Sequence, residues 1–592
     1  MTTQNHESPL VLRFNRQFFI DFWRLCKPFW ISKEKNTALV MLALNIVCIL
    51  VGVWTTIGIN HFNKTFYDAL GNFDKAAILS ALAHFTVLLS ILILSFGYST
   101  YFTMQIGIRW QRWLTQRYQH QWLENHTHYH MQIINKNIDN PDQRISDDLQ
   151  LLTLYTLNIF FNVFQSLLTL GSFGVILWGL SGRMEIPIGS MRWVIPGYLC
   201  WSALIFAALG TYLMSKIGRK LSFLNYQQQK FSADFRFSLV RLREASEQIA
   251  MSQGEAVEKE KLSDLFRRIY TNYLSIIGLQ KNLVFFSNGY NNIAAIIGIL
   301  FSMPLYLAKK IQLGGLMQIS GAFGAVISAF SVFINSFYQL TEWRAVIHRL
   351  TEFNNAMDSL QNKPQKSIFI EKKEIADIII QDLNLTRPDG SPLLSSMNLV
   401  LKRGDSVLLS GPSGIGKSTL LRALAGVWVY GSGNIQLPTL ANIVFIPQKP
   451  YLPLGTLKEA LLYPNHGFVD DETLQDILKK CLLDKFLDDL NTVNHWSHIL
   501  SLGEQQRLAF GRIFLNLPDI ICLDESTSAL DEEKESFLYA NMKHALPHAT
   551  IISVSHHPNL KRFHEKIVVL PNALVSQSEI LHKHTTDELL VV

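Results

Sequence analysis

Residues 411–419 read Gly411-Pro412-Ser413-Gly414-Ile415-Gly416-Lys417-Ser418-Thr419, directly after the apolar run Ser406–Ser410. The pattern G-x-x-x-x-G-K-[S/T] is that of a phosphate-binding loop. Its glycines let successive backbone N–H groups curl around phosphate oxygens with no Cβ in the way. Lys417 supplies a point charge for the β- and γ-phosphates of ATP, and Ser418 offers a hydroxyl to Mg²⁺. A helix opening at Lys417 turns its positive end toward the same anions. All nine residues are therefore expected to cradle nucleotide.

Further pieces stand in order behind this loop. A strand at 442–446 is followed by Pro447-Gln448, and Leu500-Ser501-Leu502-Gly503-Glu504-Gln505-Gln506-Arg507 opens a helix. Ile520-Ile521-Cys522-Leu523-Asp524-Glu525 is an apolar strand ending in two carboxylates, with Ser528-Ala529-Leu530-Asp531 just beyond. A last strand, 551–555, leads into His556. Continuous apolar runs mark strands buried on both faces of a parallel sheet, and ligands gather at the carboxyl ends of such strands. Asp524 stands where a Mg²⁺ shell needs a carboxylate. Glu525, one residue on, is placed to polarise a water in line with the γ-phosphate. Gln448 and His556, also just past strand ends, are expected at the same centre, Gln448 with an amide oxygen for the metal.

The first half of the chain is of another kind. The chain has 592 residues, 48% of them hydrophobic and only 17% charged, with a formal net charge of +6. That is too apolar for a soluble enzyme and too charged for a bare membrane bundle, so one membrane part and one soluble part are expected. Six stretches near 37–59, 76–98, 154–180, 193–214, 283–307 and 316–338 reach the roughly 20 apolar residues that cross a bilayer. Aromatics alternate with Arg16, Asp21, Arg24 and Lys27 in the segment 14–30, a pattern for a helix lying in the interface. Basic residues concentrate in the N-terminal arm and in the long segments after the second and fourth spans, including Arg109, Arg112, Arg117, Lys216, Arg241 and Arg243. This places both termini in the cytosol. The thin spread of positive charge argues against a nucleic-acid partner. The five scattered cysteines read as reduced, and none of them forms a zinc pattern.

Small residues in the last span, Gly321, Ala322, Gly324 and Ala325, suit close helix approach. His84, Asn291, Asn292 and Asn335 are the polar residues within spans that are candidates for cargo contact. Asp139-Asn140-Pro141-Asp142-Gln143-Arg144-Ile145-Ser146-Asp147-Asp148 carries a turn signal with acidic residues behind it, and reads either as a solvated loop or as a short helix that docks on the soluble half. The loss of hydrophobicity after position 350 marks a linker. The expected order is a cytosolic arm with an interfacial helix (1–36), an all-α six-helix transmembrane domain (37–350), a linker (351–374) and an α/β P-loop nucleotide-binding domain (375–592).

Together these residues resemble the ATP-binding-cassette (ABC) transporters. GPSGIGKST resembles their Walker A, Gln448 their Q-loop, LSLGEQQR their signature, IICLDE their Walker B, SALD their D-loop and His556 their switch histidine. The resemblance is strongest over 375–575. Six spans ahead of one cassette is similar to the half-transporter layout of the type IV (exporter) fold. NPDQRISDD and DFRFSLVRLREASEQIA (234–250) resemble the membrane motifs of SbmA/BacA-related, YddA-type proteins. That group includes importers of cobalamin, bleomycin and antimicrobial peptides, and is similar to the D subfamily of peroxisomal fatty-acyl transporters.

The resemblance implies a homodimer in which Ser501, Gly503 and Asp531 of one copy complete the ATP site of the other. It implies a location in a bacterial inner membrane and transport of a small-molecule or peptide cargo. Import of large hydrophilic compounds such as cobalamin or peptides is the leading expectation. Export or flipping of lipid or acyl compounds, and a tethered regulatory ATPase without cargo, are the alternatives. The chain departs from the family pattern twice. Leu502 replaces the usual second signature glycine, and Arg387 stands near where an adenine-stacking aromatic is usual. Replacing the loop lysine, Lys417→Ala, is expected to abolish ATP hydrolysis; turnover retained in a phosphate-release assay would refute its assigned role.

Overall fold

The computed structural model describes residues 15–134, 140–181, 183–188, 191–361, 368–465, 467–570 and 590–591. The chain divides into two compact units, one of long helices and one containing the cassette.

In the helical unit the first helix, Arg16–Ile31, is capped by the Asn15 side chain, which accepts from the Phe18 N–H. Phe18, Leu25, Cys26 and Phe29 form its buried face. Phe29 stacks on Trp110 at 5.5 Å, while Phe18 and Phe22 meet Trp343 edge-on. Phe19, Ile20 and Trp23 face outward. This helix is thus apolar on two sides, one against its neighbours and one toward its surroundings, as an interfacial element requires.

The long helices are Lys35–Gly71, Lys75–Leu123, Leu149–Leu180, Tyr198–Glu244, Glu255–Leu307 and Leu313–Gln361. At 1.5 Å per residue, a helix of 49 residues is roughly 70 Å long, over twice the hydrocarbon core of a bilayer. Among the described residues, five helices are long and apolar enough to cross a membrane, and the first part of the helix Tyr198–Glu244, up to Met214, is apolar as well. The expected fourth span is corrected at its start. Residues Met191–Pro196 are a strand paired antiparallel with Arg183–Ile188, and the helix begins only after Gly197, whose backbone is left-handed. Pro196 has no N–H for a helix interior, and a short apolar run can serve either structure.

Polar groups join these helices. The Asn45 amide donates to Thr103 Oγ1 at 2.8 Å and accepts from Ser99. Asn60 donates to the Gln318 carbonyl at 2.9 Å, and Asp68 accepts from the Gly314 N–H at 2.8 Å. Gly314 is needed there, because a Cβ would lie 1.9 Å from the Lys64 carbonyl oxygen. Gly321 packs on Asn60 in the same way, whereas Gly324 has open space beside it. Of the four polar residues singled out within spans, His84, Asn291 and Asn292 are exposed on this chain, and the Asn335 side chain lies outside the described residues.

The segment after Asn140 is anchored within the helical unit. Asp148, 1% exposed, pairs with Arg144 at 2.5 Å and with Arg349 at 2.6 Å inside the helical unit. A different piece, the helix Thr127–Ile134, is counted with the cassette. Its Ile133 packs against the cassette core cluster that contains Leu385 and Trp428.

The cassette has two sheets. A smaller one runs in the order Phe369–Lys373, Gly431–Pro438, Ile378–Thr386, Pro392–Leu401. The larger is parallel throughout, in the order Leu590–Val591, Lys566–Val569, Ser406–Ser410, Thr550–Val554, Ile520–Asp524, Ile443–Ile446. Its three central strands are almost wholly buried, as their unbroken apolar runs require.

Behind the sheet lies a buried histidine. His564 Nδ1 is 2.8 Å from the Leu560 carbonyl, so it donates, and Nε2 accepts from Ser553 Oγ at 2.8 Å. Burial pushes its pKa down to about 4, with the nearby Lys543 acting in the same direction. An unfolded chain binds this proton near pH 6.5, the folded cassette only near 4. Stability is therefore complete above the unfolded value and is lost as pH falls from about 6.5 to about 4. A melting series across this window should show a shallower pH slope for His564→Gln than for wild type; equal slopes would show that His564 does not carry the effect.

Candidate nucleotide site

The parallel register builds the site. Asp524 lies beside Val554, Val554 beside Leu409, and Leu523 beside Ile446. These strands therefore end at one edge, and the residues just past their ends emerge together. They are Gly411 to Gly416 of the loop, Gln448, Glu525 and His556.

The loop turns through Gly411, Gly414 and Gly416, all at positive φ. Gly416, at φ 112°, precedes the helix Lys417–Leu424, whose first N–H groups point into the loop. Lys417 is 6% exposed, and its ammonium donates to the Gly411 and Pro412 carbonyls at 2.6 and 3.1 Å. Burial holds its pKa below the usual lysine value, opposed by the nearby Glu525 and Asp524 carboxylates. Ser418 Oγ donates to Asp524 Oδ1 at 2.7 Å. Gln448 Nε2 donates to Glu525 Oε2 at 2.9 Å, and His556 Nε2 lies 3.4 Å from Glu525 Oε1. Six predicted residues thus form one cluster: Lys417, Ser418, Gln448, Asp524, Glu525 and His556.

Glu525 is held in an unusual backbone. Its φ is 47°, left-handed, and its N–H donates to the Val554 carbonyl at 2.9 Å. A non-glycine residue there costs on the order of 1–3 kcal/mol and persists only where its surroundings impose it. The kink turns Glu525 off the strand axis toward Gln448 and His556.

Ser501, Gly503 and Asp531 belong to a second cluster. Ser501 caps the helix Leu502–Asn516 reciprocally with Glu504. The Glu504 carboxyl is held below the usual range: burial works against this, but Lys485 at 2.6 Å and the Ser501 donors outweigh it. Leu502 is 42% exposed, so its side chain points away from the cap. Asp531 caps the helix Glu532–Ala545 through the Lys534 N–H. Arg387 is exposed in a turn, with Nη1 on Ser391 Oγ at 3.1 Å. Among the described contacts, none joins Ser501, Gly503 or Asp531 directly to the phosphate loop of the same chain.

One residue that sequence reasoning passed over connects the clusters. Gln506, 0% exposed, donates to the Gln448 carbonyl at 2.9 Å and to Ser528 Oγ at 3.2 Å, and accepts from the Ala529 N–H at 3.0 Å. An amide inside the signature stretch, three residues beyond Gly503, was its only signal.

The donors fit a small hard cation. Ser418 and Asp524 supply hydroxyl and carboxylate oxygens within hydrogen-bond distance of each other. Mg²⁺ takes few protein oxygens and completes its shell with phosphate and water.

A helical membrane unit followed by one P-loop cassette defines an ATP-driven membrane transporter carrying one of the two cassettes such machines use. Residues 27–307 match the ABC transporter transmembrane region 2 family, and residues 394–528 match the ABC transporter family. The chain is 32% identical to the inner membrane ABC transporter ATP-binding protein YddA of Escherichia coli, over 92% of this chain and 96% of that one. It is 26% identical to the lysosomal cobalamin transporter ABCD4 of Mus musculus, over 94% and 95%. The solved structure of a bacterial Atm1-family ABC exporter with ATP bound shares the fold, with a TM-score of 0.70 at 16% identity, covering 92% and 94% of the two chains. The protein belongs to the ABC transporter family: it is a half-transporter whose ATPase is coupled to transport.

Packing sets a test of the second cluster. A Cβ on Gly503 would lie 2.9 Å from the Ala529 carbonyl oxygen, a backbone atom that cannot swing aside. Gly503→Ala should cost about 1–3 kcal/mol of local strain. ATPase turnover is expected to fall about tenfold and the melting temperature by a few degrees; wild-type turnover would show that the Gly503–Ala529 approach is not used.

Proposed function

We propose that two copies of this chain form a homodimer that imports large hydrophilic compounds such as cobalamin or peptides. The dimer reading is carried by the division of the site: the loop and its carboxylates form one cluster, and Ser501, Gly503 and Asp531 form another. A second copy, placing its Ser501 hydroxyl and Gly503 N–H against the γ-phosphate, would complete each site. Ser501 would then exchange its Glu504 contact for the anion.

Within each site the nine loop residues from Gly411 to Thr419 hold the phosphates, with Lys417 leaving the Gly411 and Pro412 carbonyls for nucleotide. Ser418, Asp524 and the Gln448 amide oxygen would hold Mg²⁺, which neutralises charge on the β- and γ-phosphate oxygens when bound. Glu525 orients and polarises the attacking water. His556 supports Glu525 and the γ-phosphate, and Gln448 links metal and carboxylate. Asp531 keeps the turn before its helix in place at the interface. The Lys and Arg distribution supports both termini in the cytosol, and similarity to YddA supports a bacterial inner membrane. The apolar spans and the loss of hydrophobicity after position 350 support reading 1–36, 37–350, 351–374 and 375–592 as arm, membrane domain, linker and cassette.

The cobalamin reading rests on similarity to ABCD4, a relative whose name states that cargo. One observation favours a second reading, export or flipping of lipid or acyl compounds. A groove of about 520 Å³ in the helical unit is lined by Ile57, Leu167, Gly171, Ser172, Val175 and Ile176, nearly all apolar. Uptake of labelled cobalamin and labelled peptide into cells should be lost in Glu525→Gln. Equal accumulation in both strains would sink the import reading, and lipid translocation in vesicles that depends on Glu525 would favour the second.

A further inference from the structure

The helix that follows the Asp531 turn carries a carboxylate that the hydrolytic site has not yet used. Glu535 is 0% exposed. Its Oε1 accepts from Thr527 Oγ1 at 2.5 Å and lies 3.0 Å from His557 Nδ1. Its Oε2 is buried with no hydrogen-bond partner among the described residues. A carboxylate in such a place is costly unless a cation faces it. Among the described contacts, the basic side chain that faces it is His557.

The two partners of Glu535 sit beside the reacting groups. Thr527 is two residues past Glu525, and its carbonyl accepts from the Leu530 N–H at 3.0 Å, closing the turn that carries Ser528 and Ala529. Ser528 N–H in turn donates to the Glu525 carbonyl at 3.1 Å. His557 is the residue after His556, and its N–H is held by Ser555 Oγ at 3.1 Å. Glu535 therefore grips both the segment behind Glu525 and the segment behind His556.

We propose that Glu535 and His557 are positioning residues for ATP hydrolysis. Their 3.0 Å contact ties the loop carrying His556 to the turn carrying Glu525, and so sets the separation of those two side chains, 3.4 Å here. Neither is among the residues assigned above to nucleotide or metal. They act through the left-handed Glu525 backbone, which persists only while its surroundings hold it. Loss of the pair lets the His556 loop drift from Glu525 while the phosphate loop, anchored by Lys417 and Ser418, stays formed. The effect should fall on turnover rather than on ATP affinity.

This inference rests on the roles given above to Glu525 and His556, and the experiment separates the two. Steady-state ATPase is measured on the purified full-length protein in lipid nanodiscs. Glu525→Gln and His556→Ala test the underlying assignment; wild-type turnover in both would refute that assignment, whatever happens at His557. His557→Ala should lower kcat about tenfold with KM for ATP changed less than about twofold. His557→Arg, which again places a donor able to reach the carboxylate, should recover kcat to within about twofold of wild type. Glu535→Gln combined with His557→Ala should be no slower than the slower single variant, because both remove one interaction. The proposal is overturned by wild-type kcat in His557→Ala, by an arginine variant as slow as the alanine one, or by additive losses in the double variant. His557 is partly exposed, so its variants keep the test open if Glu535→Gln alone does not fold.

Discussion

The hydrolytic centre depends on one constraint, the in-register ending of buried parallel strands. A strand covered on both faces must be apolar along its whole length, so a charge can enter only where the strand stops. Asp524 is the first position at which Ile520–Asp524 can carry one, and its carboxylate meets Ser418 at the start of the neighbouring helix. Because the paired strands end level with it, the groups past each end have little choice of partner. Gln448 and His556 both reach Glu525. The chemistry is arranged by termination of the sheet more than by any individual contact.

That logic explains why the cassette was readable from the chain. Each strand announced itself as an unbroken apolar run, and each run ended on a group able to bind or activate. The ordering of loop, signature, acidic strand and terminal histidine then left few ways to assemble them. What could not be read was how the backbone turns after the strand. Nothing in Asp524-Glu525 signals that Glu525 adopts a left-handed conformation, because the pairing of its N–H with Val554 is a tertiary event. Gln506 and Glu535 were hidden for a related reason. A glutamine or glutamate in a helix normally looks like a solvated residue, and only packing reveals that these two are enclosed.

The membrane half was legible as apolar length and little beyond it. A hydropathy window counts residues without knowing which side of a helix they occupy. His84, Asn291 and Asn292 stood out by type yet point outward on this chain, while Asn45, Asn60 and Asp68 join helices. Residues Trp193, Val194 and Ile195 are as apolar as any span, but Pro196 and Gly197 stop a helix from passing through them. The acidic run ending at Asp148 looked solvent-facing because its partner, Arg349, is some 200 residues away in sequence.

The helix Thr127–Ile134 shows that the folded boundary and the boundary along the chain are different things. The chain passes between the two units three times, at 124/125, 136/137 and 358/359. A fragment begun at the linker would contain every catalytic group and still lack part of its own surface. The seat of Ile133 would be left as bare hydrocarbon in water. Such a fragment would tend to self-associate through that patch, and its oligomerisation in solution would report a missing piece of the fold rather than the pairing that closes around ATP.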